Sequence, residues 1–193
     1  GFLGGRYYFS DDDSENVEMV VQAPLVEEKE YRLAGALVLK EGVVDIKDDE
    51  GNWAEMDKGE LVYEGDSLRT GENSRAVFEM DDGSSVRFDE STEAIFSALN
   101  DSVILINQID GSVYHRVHPG ALVYTVKSMD VVTTALGTGF VVTTDQENEE
   151  TRVSVYESKV TVTVKNEDVE NEEVSEGEKL TYKLKTKKMV LGT

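Results

Sequence analysis

Three residue types are rare or missing in this sequence. It contains no cysteine, two prolines and two histidines among 193 residues. The lack of cysteine excludes disulfides, thiolate metal ligands and cysteine nucleophiles together. It does not fix the compartment, because many envelope proteins also lack disulfides. Any catalytic or metal site built on imidazole must use one of the two histidines.

Basic residues are also scarce. Lysine and arginine number 19 against 40 aspartates and glutamates, which gives a formal net charge of −21 and a pI near 4.3. A surface of this charge repels phosphate backbones and anionic lipid head groups, so we predict no nucleic-acid partner. It attracts cations or a basic partner surface, and it also keeps the protein soluble. With 39% hydrophobic and 31% charged residues, the composition is that of a globular protein.

No apolar run is long enough to span a membrane as a helix. The chain begins with the apolar and aromatic segment Gly1–Phe9, has no initiator methionine and continues into Ser10–Asp13. This order is typical of a chain leaving a bilayer, so it predicts a membrane tether upstream of Gly1. A tag remnant followed by a loose tail is the alternative. We predict that residues 1–30 form a flexible acidic linker and that residues 31–193 form the folded domain.

Alternating hydrophobicity dominates after Tyr31, and helical periodicity is nearly absent. The run 75–80 and the run 85–88 alternate on either side of Asp82-Gly83. An Asp-Gly pair between alternating runs predicts a β-hairpin with positive φ at both turn residues. The runs 160–165 and 180–187 also alternate, which predicts strands with one buried face.

Turn signals recur along the whole domain. They are Glu50-Gly51, Glu64-Gly65, Thr70-Gly71, Asp110-Gly111 and Glu176-Gly177. Many short strands separated by such turns predict an all-β fold of short antiparallel strands. The pattern leaves three architectures open: a sandwich, a jelly roll or a flattened β-solenoid.

The two histidines, His115 and His118, lie in the strand-like run 114–119. Residues three apart on a strand point to opposite faces, so a shared metal site is geometrically unfavourable. A Ser–His–Asp site would also need one of them, and the chain has no Gly-x-Ser-x-Gly motif. Paired carboxylates of the glycosidase type are not marked by any pattern. We therefore predict no metal, no cofactor and no catalytic residues.

The chain also contains three acidic clusters and one glycine-rich run. The clusters at 11–13, 48–50 and 81–82 lack EF-hand spacing, and the last two resemble turns. The run 135–140, Ala-Leu-Gly-Thr-Gly-Phe, lacks the lysine and the following helix of a phosphate-binding loop. It precedes a predicted strand instead, which indicates a bulge or a close approach of backbones that places Phe140 and Val142 in the core.

The order of these motifs resembles the FecR domain, the periplasmic part of ferric-citrate-type regulators. The resemblance extends from Gly35 to Leu184. The matching positions are Gly65-Asp66, Leu68, Thr70-Gly71, Ala76, Asp82-Gly83-Ser84, Thr92, Gly111, Val113, Val132–Thr134, Gly137-Thr138, Phe140–Val142 and Val174–Glu178. One departure is Ser158, which stands where the family usually has glycine. The sequence also shows no sigma-factor-binding segment and no receptor-contact domain that we recognise.

The resemblance implies an extracytoplasmic, non-catalytic binding or signalling module. We expect it to relay a signal through contact with another envelope protein, from a periplasmic or cell-surface location tethered to the inner or cytoplasmic membrane. Sheet edges and inter-strand loops are the expected contact surfaces. A cell-surface structural or glycan-binding domain is the alternative. The sequence does not identify the binding residues.

Overall fold

The computed structural model describes residues 33–48, 50–120, 123–165 and 171–193. These ranges contain seventeen β-strands and no helix, which confirms the all-β prediction. The strands are β1 (Gly35–Glu41), β2 (Val44–Lys47), β3 (Trp53–Glu55), β4 (Leu61–Val62), β5 (Ser67–Thr70), β6 (Arg75–Met80), β7 (Ser85–Phe88), β8 (Glu93–Leu99), β9 (Val103–Arg116), β10 (Val123–Ser128), β11 (Val131–Ala135), β12 (Gly139–Asp145), β13 (Glu150–Glu157), β14 (Lys159–Val164), β15 (Glu172–Ser175), β16 (Lys179–Lys183) and β17 (Lys188–Gly192). The predicted linker, residues 1–30, lies outside the described residues.

The strands form two sheets that share β9. Sheet I has the order β4-β1-β6-β7-β9-β12-β13-β16-β17. Sheet II has the order β3-β2-β5-β8-β9-β10-β11-β14-β15. The first part of β9 belongs to sheet II and the last part to sheet I, so the hydrogen-bonded network is continuous. Only the β9–β10 pairing is parallel among the described strands.

The inner faces of the two sheets pack on each other. Phe78 of sheet I meets Phe96 of sheet II with ring centroids 6.2 Å apart. Farther along, the Ser128 hydroxyl of β10 lies 2.7 Å from the Thr144 hydroxyl of β12. The buried apolar side chains of both sheets form one cluster. Of the three architectures left open by the sequence, the arrangement is therefore a sandwich of two sheets joined by a shared strand.

The hairpin predicted at Asp82-Gly83 is present as β6–β7, with Phe78 opposite Val86. Its turn differs from the predicted one. The loop has three residues, 81–83, and of these only Gly83 has a positive φ. The Met80 N–H donates to the Ser84 carbonyl at 2.9 Å, which closes the loop. This is a longer hairpin connection that ends in a left-handed glycine, so the expectation of two positive-φ residues was wrong.

The turn predicted at Asp110-Gly111 is absent, because both residues lie inside β9. Gly111 has φ +84°, and there the strand passes from sheet II to sheet I. A Cβ on Gly111 would lie 2.3 Å from Thr92 Oγ1 and 2.6 Å from Thr92 Cα. The glycine therefore permits a bend within the strand and close backbone contact, and it does not end the strand.

The alternating run 160–165 is confirmed as a half-buried strand, β14. The run 180–187 is confirmed only as far as Lys183, because residues 184–187 form the turn that leads to β17. Val160, Val162 and Val164 of β14 are buried, and the threonines between them lie on the other face. Leu180 and Tyr182 of β16 are buried in the same manner. Period-two alternation is a local property of a strand, so it could be read without knowing the strand's neighbours.

Candidate binding surface

The structure separates the two histidines. His115 is wholly buried on the inner face of sheet I, where its Nδ1 lies 2.8 Å from the Tyr124 hydroxyl. Its ring stacks on Phe140 at a centroid distance of 4.9 Å. His118 is exposed after the end of β9, next to Gly83. Within the described ranges no three His, Asp or Glu side chains are grouped as metal ligands would be.

The buried position of His115 sets its chemistry. Burial lowers the pKa of His115 to about 3, so the imidazole is neutral at pH 7. Burial also raises the pKa of the Tyr124 hydroxyl, and the Asp82 carboxylate adds to this shift. His115 Nε2 has no hydrogen-bond partner among the residues that the structure describes. The geometry is that of a core histidine held by stacking and one hydrogen bond.

The run 137–140 has the bulge predicted from its glycines. Gly137 has φ +109°, and a Cβ there would lie 3.1 Å from Pro119 Cα. The β12–β13 register shifts between Gly139 and Phe140. After this shift, Phe140 and Val142 are both fully buried. The Thr138 hydroxyl donates to the Glu157 carbonyl.

The outer face of sheet I carries an open groove with a volume of about 420 Å³. A single row of residues lies across its floor, each opposite the next in the strand register. The row consists of Leu39 on β1, Val77 on β6, Arg87 on β7, Tyr114 on β9 and Val141 on β12. The register of β1 shifts between Leu37 and Leu39, at the margin of this groove. The row gives the groove an apolar floor with one cation and one phenol.

The two arginines that line the groove differ in whether a carboxylate pairs with them. Arg75 Nε lies 3.2 Å from the Asp89 carboxylate, so these two partly neutralise each other. The Arg87 guanidinium lies 5.8 Å from the Tyr114 ring centroid and has no carboxylate partner among the described residues. Tyr114 also makes an edge contact with Tyr156, which is 59% exposed. Glu41 also lines the groove, so its charged side chains are two arginines and two carboxylates. Arg87 can pair with an anionic group that lies beside an apolar or aromatic group.

Sequence reasoning did not find this groove. Its five row residues come from five strands and span positions 39 to 141, and only the register of the sheet aligns them. The signal that was available is alternation, which placed Val77 and Arg87 opposite the buried faces of β6 and β7. The predicted absence of metal, cofactor and catalytic residues is not tested by these observations. No helix in the described part of the chain has the length and apolarity needed to cross a membrane.

Comparison with known proteins identifies the domain. The family model described as FecR protein matches residues 66–161, about half of the chain. A search among curated proteins gave no significant match. Two crystal structures of a protein proposed to be an anti-sigma factor from Parabacteroides distasonis share the fold, each with a TM-score of 0.59 and 17% sequence identity. The alignments cover 66% of this chain and 59% of those chains.

The chain therefore carries a FecR domain, as its motif order indicated. The family assignment supports a signalling or regulatory role. The chain spans about 59% of the length of the Parabacteroides distasonis structures. At 17% identity, the likeness to them establishes the fold of the shared part.

Proposed function

We propose that this chain is the extracytoplasmic, non-catalytic binding module of an envelope signalling regulator. It is tethered to the membrane upstream of Gly1 and relays a signal by contact with another envelope protein. The FecR match and the order of apolar, aromatic and acidic residues at positions 1–13 support this placement. The observation that carries the proposal is Arg87, which lies beside Tyr114 in the groove of sheet I and has no carboxylate partner in the described part of the chain.

Arginine and tyrosine are, with tryptophan, the residues enriched among those that dominate the binding energy of protein interfaces. Here they lie next to each other at the middle of a sheet, flanked by Val77 and Val141, so a partner side chain can cover both. The surrounding protein carries a net charge of −21, which repels acidic partners except near an unpaired cation. Arg87 therefore orients a partner segment that carries a carboxylate beside an apolar side chain.

The core histidine supports the non-catalytic part of the proposal. Efficient acid–base catalysis near neutral pH needs a pKa close to the working pH. Burial holds the pKa of His115 at about 3, far from that range. Its ring nitrogen Nδ1 is hydrogen-bonded to the Tyr124 hydroxyl, whose own pKa is raised by burial.

Photo-crosslinking tests the proposal directly. A photoreactive phenylalanine derivative replaces Tyr114 in the groove or, as a matched control, Thr134 on the outer face of sheet II, in cells that make the full-length protein. We expect one discrete protein adduct from position 114 and none from position 134. The adduct should disappear in the additional variant Arg87→Glu. Equal adducts from both positions, or none from either, would contradict the proposed binding surface.

A further inference from the structure

The charge of this acidic protein reverses in its last two strands. Residues 179–193 contain five lysines and no acidic residue, although acids outnumber bases by 40 to 19 over the whole sequence. These residues form the hairpin β16–β17 at the end of sheet I. The lysines are Lys179, Lys183, Lys185, Lys187 and Lys188. We call this segment the lysine hairpin.

The outer strand of the lysine hairpin is an unpaired edge. Among the described strands, β17 pairs with β16 alone. Its side chains are apolar as well as exposed: Val190 is 49% exposed and Leu191 is 41% exposed. An edge strand of this kind offers a row of backbone N–H and C=O groups to another strand.

Two lysines of the hairpin destabilise it by repelling each other. Lys183 and Lys188 lie directly opposite each other in the register, and like charges in that position are destabilising. Glu150 offsets one of them, with its carboxylate 3.3 Å from the Lys183 ammonium group. Lys179 and Lys188 have no ion-pair partner in the part of the chain that the structure describes. The hairpin thus retains free positive charge.

Lysines often protect sheet edges against pairing, but their positions here do not suit that role. A protecting charge lies on the edge strand itself. Four of the five lysines lie instead on β16 or in the connecting turn, and the centre of β17, residues 189–191, is uncharged. The lysines flank the edge and leave its middle open to another strand.

We infer that the lysine hairpin binds an extended acidic segment of a partner protein, which pairs with β17 as an added strand. Backbone hydrogen bonds supply the pairing, the lysines select acidic side chains, and Val190 and Leu191 contact apolar ones. An anionic membrane fits less well, because the net charge of −21 opposes it and lipids cannot continue a strand ladder. The inference deepens the proposed binding function but uses a different surface from the groove.

Fluorescence anisotropy with three labelled octapeptides tests the inference. The first alternates glutamate and valine, the second alternates lysine and valine, and the third is the first with two central valines replaced by proline. Proline removes backbone donors and breaks strand pairing. We expect the glutamate–valine peptide to bind and the other two to bind at least about tenfold more weakly. Equal binding of the proline peptide would overturn the strand-pairing mode.

Two double variants test the surface. Lys179→Gln/Lys188→Gln should weaken binding of the glutamate–valine peptide about tenfold, the loss expected for two partly exposed ion pairs. Lys58→Gln/Lys165→Gln removes the same charge elsewhere and should leave the affinity unchanged. Equal losses of peptide affinity in the two double variants would mean that only the overall charge of the protein matters, and would overturn the inference. So would binding of vesicles containing phosphatidylglycerol through the same lysines without any binding of the peptide.

The variant Arg87→Glu separates this inference from the proposed function. Arg87 lies in the groove. In the strand order of sheet I, its strand β7 and the lysine hairpin are on opposite sides of β9. Peptide binding should therefore survive in Arg87→Glu. If the Tyr114 crosslink is lost but the peptide still binds, the inference about the lysine hairpin holds. If the crosslink remains but the peptide does not bind, that inference is refuted and the proposed function is not.

Discussion

Replacing Gly111 by alanine should be among the most destabilising single substitutions in this domain. Its φ of +84° costs an L-residue roughly 1–2 kcal/mol. The new Cβ would also lie 2.6 Å from Thr92 Cα and 2.7 Å from the Ser91 carbonyl oxygen. These are backbone atoms, so the clash can be relieved only by moving β8 away from β9.

That movement would break further contacts. The Thr92 hydroxyl accepts the Ser112 N–H at 3.0 Å, and the Thr92 N–H donates to the Thr70 hydroxyl at 3.1 Å. We therefore expect Gly111→Ala to lower the free energy of unfolding by about 3–5 kcal/mol, in the range of severe single mutations. Domains of this kind are stable by about 5–15 kcal/mol, so the variant should still fold at low temperature.

Urea unfolding at 15 °C, followed by the fluorescence of Trp53, measures this difference. Gly51→Ala is the matched control, because Gly51 has φ +87° but no atom of the described residues lies within 4 Å of the added Cβ. The control should lose only the backbone cost, about 1–2 kcal/mol. Equal destabilisation of the two variants would refute the packing argument at Thr92. It would leave backbone conformation as the sole role of Gly111.

Three further predictions concern stability. Ser158 has φ +62°, so Ser158→Gly should raise the free energy of unfolding by about 0.5–1 kcal/mol; an unchanged urea midpoint would contradict this. The pKa of His115 is about 3 in the folded protein and 6.5 in the unfolded chain. The unfolded state therefore binds more protons than the folded state between these two pH values. The stability that the neutral, buried His115 contributes is lost as the pH falls from about 6.5 to 3, by up to ~1.4 kcal/mol per pH unit. His115→Gln should flatten unfolding free energies measured from pH 7 to 4, whereas the exposed His118→Gln should not. Phe140→Ala should cost about 3–5 kcal/mol, because Phe140 is fully buried against His115 and Tyr124, and a calorimetric melting temperature near that of the wild type would contradict this burial.

Local sequence patterns predicted the local structure well. The β6–β7 hairpin and the buried valines of β14 follow from alternation and turn residues within a dozen positions. Ser158 shows the same point at one residue: the position where the family has glycine has a left-handed backbone in this chain. Each of these features depends on φ and on side-chain alternation, which neighbouring residues largely determine.

Features that depend on strand register could not be predicted in this way. Asp110-Gly111 has the sequence of a turn, but both residues lie inside β9, where Asp110 pairs with Glu93 of β8 and Gly111 with Thr144 of β12. The groove needs Leu39 and Val141 to be aligned through three intervening strands. The lysine cluster of the last hairpin is visible in the sequence, but its position at a sheet edge is not.

The most direct test of the binding account is the affinity of the purified domain for the protein crosslinked at Tyr114. Isothermal titration calorimetry compares the wild type with Arg87→Gln and with the control Arg152→Gln, whose arginine is already paired with Glu150 at 2.7 Å. We expect Arg87→Gln to raise Kd at least about tenfold and Arg152→Gln to leave it unchanged. Equal Kd values for the wild type and Arg87→Gln would contradict the assignment of the groove as the partner-binding surface.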